Sequence, residues 1–327
     1  MRSLACWLLC AFVAVTGVTA AQAQKTERIV FATDWLSQAE HGGFYQALAE
    51  GTYRKYGLDV TIRMGGPQVN GMQLLAAGQR DVVMADALQV LSAVEQRVPV
   101  VAIAATFQKN PTVIIAHPGV TKIEELRGKP IAVSAASNTT FWPWLKERYG
   151  FTDDQKRPYA FSVQPFLVDS KLSQQGFATS EPFSIEKGGV NPVVFLLAEL
   201  GYPPYSEVLA VTRKTASARA DALQRFVRAS AEGWKSYLAN PAPGNAPIKR
   251  ENPQMSDELL AYGHRKMIEY AIVTGAEAAT GGLLTMTAAR WQRTIDFLRA
   301  AGLARPNVED YASAFTLSIV RDVRVLP

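Results

Sequence analysis

The feature that most restricts this chain is its rhythm: short β-rich runs alternate with helical stretches, and glycine separates one unit from the next. That alternation predicts an α/β protein built on parallel or mixed sheets. Residues 29–33 read as the first strand, 44–55 as a helix closed by Gly57, and 58–63 as the second strand. After the Gly65-Gly66-Pro67 turn the unit repeats, with a helix over 72–77, a stop at Gly78 and a strand over 81–85 that ends at Asp86. A further helix leads to strands over 100–107 and 112–117, separated only by Gln108-Lys109-Asn110-Pro111. A second cycle, read as a second lobe, follows. It has a short helix at 123–126, a stop at Gly128 and a strand at 130–134. Ser137-Asn138-Thr139-Thr140 then offers caps for a helix through Trp144 to Tyr149. Toward the C-terminus, 220–238, 257–273 and 287–301 carry apolar residues at helical spacing. Residues 240–253, rich in proline, asparagine and glycine, read as a mobile surface loop.

The first residues bear on the compartment. Arg2, the apolar run over 4–18 and Ala21-Gln22-Ala23 have the form of a cleavable export signal over 1–23, so the working chain is expected to start near Gln24, in the periplasm. The run is shorter than the roughly 20 residues that span a bilayer. Neither Cys6 nor Cys10 has the small-residue context that lipid attachment needs, so free release is expected rather than anchoring. These two are the only cysteines. The remainder can therefore form no disulfide and no cysteine–metal site, and about 300 residues can bury a core without such staples.

Chemistry elsewhere is sparse. The three histidines, His41, His117 and His264, lie far apart without metal-type spacing. No Gly-x-Ser-x-Gly elbow and no phosphate-binding loop occur. The formal charge of +5 is spread among acidic residues, which gives no nucleic-acid footprint. Binding without a cofactor or metal is thus expected, not catalysis.

Specific residues add a family resemblance. Asp34-Trp35, His41, Gly43, Tyr45, Ala47, Gly51 and Gly57-Leu58-Asp59-Val60 resemble the opening of the thiamine-pyrimidine-precursor binding family. That family groups periplasmic pyrimidine-binding proteins with eukaryotic pyrimidine synthases, and it is related to nitrate, taurine and alkanesulfonate binding proteins. The segment 74–82 resembles its small-residue, Gly, Asp element, and Ser180-Glu181-Pro182-Phe183 its Trp-Glu-Pro-Tyr motif. Ser37, Gln38 and Ser180 depart from the family's Pro, Asn and Trp.

The resemblance implies a type II periplasmic-binding-protein fold, two α/β lobes with a ligand cleft and hinge between them. Lobe 1 would comprise 24–112 and 206–327, and lobe 2 113–205, with crossings near Asn110 to Val113 and Tyr205 to Leu209. It implies a monomer that captures a small molecule for an ABC permease in the inner membrane. A thiamine-precursor pyrimidine is the expected ligand. An aromatic carboxylate, a flavin or a sulfonate stands as an alternative ligand, and a ligand sensor or a pyrimidine-synthase-like enzyme as an alternative role. The synthases use a cofactor-linked lysine and a cysteine-rich motif, and this chain lacks the latter.

The candidate contacts fall just after predicted strands, where α/β sheets hold ligands. Trp35 is suited to stacking on a planar ring. Asp34 and Glu181 are acceptors for ring amino groups, and His41 is a further hydrogen-bonding group. Gly65, Gly66 and Pro67 would allow close backbone approach. Ser137, Asn138 and Thr139 read as caps that also meet acceptor atoms. Phe107, Phe141, Trp142 and Trp144 divide between packing and ligand, and Asp86 reads first as a helix cap.

Overall fold

A computed structural model describes residues 26–66, 68–275, 277–304 and 311–327. The export signal, the start near Gln24 and Pro67 lie outside the described residues.

Two five-stranded sheets are built to one plan. The first contains β1 (Glu27–Ala32), β2 (Leu58–Arg63), β3 (Val82–Ala85) and β4 (Val100–Phe107). The second contains β5 (Thr112–Ala116), β6 (Ile131–Val133), β7 (Lys156–Pro158), β8 (Ser173–Phe177) and β9 (Val193–Leu196). The chain then returns to the first sheet as β10 (Ser206–Thr212). The orders are β2-β1-β3-β10-β4 and β7-β6-β8-β5-β9. In each sheet a parallel trio is joined by an antiparallel strand, β10 against β3 and β5 against β8. Helices cover the sheets. Even β4, at one edge of its sheet, is covered on both faces, is buried along its whole length and reads as an unbroken apolar run, Val100-Val101-Ala102-Ile103-Ala104-Ala105.

The expected strands coincide with observed ones to within two residues, and the helices differ more. The helix expected over 44–55 is two, Gly42–Ala49 and Thr52–Lys55, because Gly51 takes a left-handed conformation (φ 73°) between them. The helix expected over 257–273 ends at Glu269. Ser137 to Thr140 do not cap the Phe141–Tyr149 helix. They form a short 3-10 turn of their own, Ala135–Thr139, and Thr140 makes no side-chain capping bond.

The largest correction concerns 240–253. This segment is the helix Ala242–Glu251, packed against Gly42–Ala49. Its prolines mislead. Pro243 falls in the first turn, where no N–H is required. The amide of Gly244 donates to Gln46 Oε1 at 2.7 Å, and Pro247 and Ile248 are buried.

The chain passes between the sheets twice, through 108–111 and before Ser206. One side chain holds both passages. Arg290, on the Ala288–Ala300 helix, donates to the carbonyls of Gln108 and Pro203, pairs with Glu277 at 3.2 Å and lies 4.1 Å from the Tyr205 ring centroid.

Candidate ligand cleft

Between the sheets lies a cleft of about 530 Å³, inside the range of small-molecule sites. The loop after β1 forms one wall. Thr33 Oγ1 donates to Trp35 O at 2.7 Å and accepts from Gly65 N at 3.0 Å, so the two loops brace each other. Gly65 is required there: a Cβ would sit 2.4 Å from the Thr33 carbonyl oxygen. From this braced loop Asp34 and Trp35 face the cleft. His41 completes the wall. Its Nδ1 accepts from the Gln38 amide at 3.3 Å, which assigns the proton to Nε2, and Nε2 donates to Asp34 Oδ1 at 3.1 Å. The helix Ala242–Glu251 supports the same loop from behind. Glu251 accepts from Ser37 and Tyr45 hydroxyls, and Asn252 Nδ2 donates to Ser37 O at 2.9 Å.

The opposite wall comes from the second sheet. Glu181, at the start of the Glu181–Lys187 helix, accepts from Tyr159 Oη at 2.9 Å, Phe177 N at 2.7 Å and Ser180 Oγ at 2.6 Å. Beside it Phe161 leans over the mouth, its ring 4.8 Å from Trp35 at 44° and 5.3 Å from Tyr159. Thr179 reaches across to donate to Glu40, another buried link between the walls. Burial, chiefly, raises the Glu40 pKa above the ordinary carboxylate range, with Thr179 opposing.

Glu207, at the start of β10, is part of the lining. Its pKa also lies well above normal, through burial first and then the like charges of Asp34 and Asp86. Among the described residues no lysine or arginine lines the cleft.

The expected site residues thus divide. Asp34, Trp35, His41 and Glu181 converge on this cleft. Thr139 instead lines a second opening of about 730 Å³ on the far side of Asp34, with Asn70 and Thr140. The others do not line this cleft. Phe107 is in the core against Trp234. Phe141 is buried, Trp142 is buried with Nε1 on Asp153 at 2.9 Å, and Trp144 packs on Tyr149 and Tyr202. These aromatics fail as contacts because their helix turns them into its own lobe. Ser137 is buried and donates to Ser134 O, while Asn138 is held by Ala135 O and Lys156. Asp86 caps the Ala87–Glu95 helix through the Leu88 amide at 2.7 Å, and burial pushes its pKa up to about 7. Gly65 braces the loop, and Gly66 closes a turn with Val69.

Tyr159, Phe161 and Glu207 are missing from the sequence reading. Glu207 carried a faint signal, an acid at the head of the apolar run Val208 to Val211. Phe161, in a connecting segment, carried none. Among the described residues no group of His, Cys, Asp and Glu is arranged to hold a metal, and no helix is long and apolar enough to cross a membrane.

Comparison with known proteins adds three findings. A family model described as NMT1/THI5 like matches residues 38–243. The riboflavin-binding protein RibY of Chloroflexus aurantiacus is 25% identical over 321 residues, 94% of this chain and 90% of that one. Two solved structures share the fold at 14% identity. The alkanesulfonate-binding protein SsuA of Xanthomonas axonopodis, bound to MOPS, has a TM-score of 0.65 over 89% of this chain and 98% of its own. The ligand-binding component of an ABC-type import system from Staphylococcus aureus has 0.63 over 91% and 99%.

Proposed function

From the premise that this chain belongs to the NMT1/THI5-like family, we propose that it is the capture protein of an ABC importer. It holds a small planar heteroaromatic with N–H donors in the cleft and passes it to a permease of the inner membrane. One observation carries this reading. The cleft combines the Trp35 and Phe161 rings with the carboxyl groups of Asp34, Glu181 and Glu207, and among the described residues no lysine or arginine borders it. Rings stack on rings, and carboxylates accept from amino groups. A sulfonate or nitrate would meet like charge and no counter-ion, a costly burial. The fold neighbours that bind sulfonates therefore do not decide the ligand.

Among planar heteroaromatics, the thiamine-precursor aminopyrimidine matches the acceptor-rich lining. A flavin is the second reading, supported by the resemblance to RibY and by a cleft of about 530 Å³, roomy for one ring. Lobe 1 would be 24–112 with 206–327, and lobe 2 113–205, working as an exported periplasmic monomer.

A thermal-shift screen of ligand-stripped protein tests this. At 100 times its dissociation constant, the aminopyrimidine or riboflavin should add about 2.7 kcal/mol of stability. A shift with taurine or nitrate, and none with the ring compounds, would reject the reading.

A further inference from the structure

Glu207 is buried in β10, 5% exposed, between β3 and β4. Its Oε2 has no hydrogen-bond partner, and Oε1 has a long contact of 3.4 Å from Ser206 Oγ. An unpartnered buried carboxyl oxygen costs free energy and calls for an explanation. The backbone sharpens the point. Glu207 holds a left-handed φ of 53°, a conformation that a side-chain-bearing residue adopts at a cost. Glycine at this position would remove both penalties at once. The side chain must therefore be kept for what it does in the cleft it lines.

Its neighbours answer it only in part. Asp34 and Asp86 are like-charged, and the one proton that Glu207 shares in its hydrogen bond with Asp34 satisfies one of its oxygens and leaves Oε2 unanswered. His41 already serves Asp34, and Glu40 is taken by Thr179. An acceptor is left over on the cleft floor with no lysine or arginine in the lining to answer it.

Resting on the reading of this cleft as the ligand site, we propose that Glu207 is the specificity-determining contact: it accepts from an N–H edge of the ligand, an amino group beside a ring nitrogen or an amidinium. Trp35 and Phe161 then grip the face of the ring, and Glu207 and Asp34 read its edge. Acids and sulfonates are refused at the same point. A ligand that carries a formal positive charge gains most.

Two flat probes of similar size isolate this chemistry from the identity of the nutrient: benzamidine, which presents an N–H edge, and benzoate, which presents acceptors. Their binding to ligand-stripped protein is followed by NMR titration. Benzamidine is expected to bind and benzoate to bind at least tenfold more weakly. In Glu207→Gln the benzamidine affinity should fall about tenfold or more, the usual worth of a charge-assisted bond. Glu207→Gly serves as the second variant. It should melt no lower than the wild-type chain, since strain and a buried acid are relieved, yet lose the preference for benzamidine. Equal binding of the two probes, binding of neither, or a preference that survives both substitutions overturns the assignment. Failure of the aminopyrimidine and riboflavin with the benzamidine preference intact would reject only the nutrient proposed above.

Discussion

Two side chains that border the cleft, Phe161 and Glu207, hold backbone angles that L-residues avoid, φ 56° and 53°. Such conformations cost of order 1–3 kcal/mol each and gather at ligand clamps. For Phe161, which is 51% exposed, the return is a ring held against Trp35. Phe161→Gly is therefore expected to leave the melting temperature unchanged or higher while weakening ring binding, measured by calorimetry beside a melting curve. Three acids make a second prediction. Asp86, Glu40 and Glu207 all have pKa values raised chiefly by burial, Asp86 to about 7. A carboxyl raised in the folded state contributes stability that is complete below its ordinary range near pH 4 and is lost as pH rises through the raised value. The ligand-free protein should thus melt higher at pH 5 than at pH 8, and Asp86→Asn should flatten that slope. A melting temperature that falls steadily from pH 8 to pH 5 would contradict the assignment.

At the scale of elements, the strands were legible and one helix was not. β2 is bounded by its alternation of buried and more exposed residues, and β4 by an unbroken run of buried ones. Ala242–Glu251 escaped because its signals are tertiary. Prolines and glycine read locally as a loop, yet Gln46 supplies the missing acceptor for Gly244 and the neighbouring helix buries Ile248. The site divides in the same way. Asp34, Trp35, His41 and Glu181 were legible through motif spacing, whereas Tyr159 and Phe161 reach the cleft only through the path of a connection. The Ala288–Ala300 helix acts through Arg290, which clasps both passages between the sheets. Arg290→Leu leaves the partly buried Glu277 with only the longer Arg293 contact of 3.7 Å, takes the donor from two carbonyl groups, and should cost about 2–4 kcal/mol in a urea unfolding curve. A loss below roughly 1 kcal/mol would show that the clasp is incidental.

For the whole molecule, the fold follows from a repeated plan, and the cleft from where that plan leaves strand ends facing each other. Polar contacts join the lobes, Thr179 with Glu40 and Lys187 with Glu258 among them, and so does the Trp35–Phe161 pair. Hinge motion about 108–111 and the segment before Ser206 is the motion this arrangement favours. Capture of the ring ligand should then lower the radius of gyration in solution scattering without changing the helix content. Identical scattering with and without ligand would argue against that hinge. The central claim, that a planar N–H donor is held between aromatic and acidic walls, has a more direct measurement. In calorimetric titration of ligand-stripped protein, the aminopyrimidine or riboflavin should bind at micromolar affinity or tighter, and Trp35→Ala should lose about 1–3 kcal/mol of it. Tight binding of taurine, unchanged in Trp35→Ala, would contradict the account.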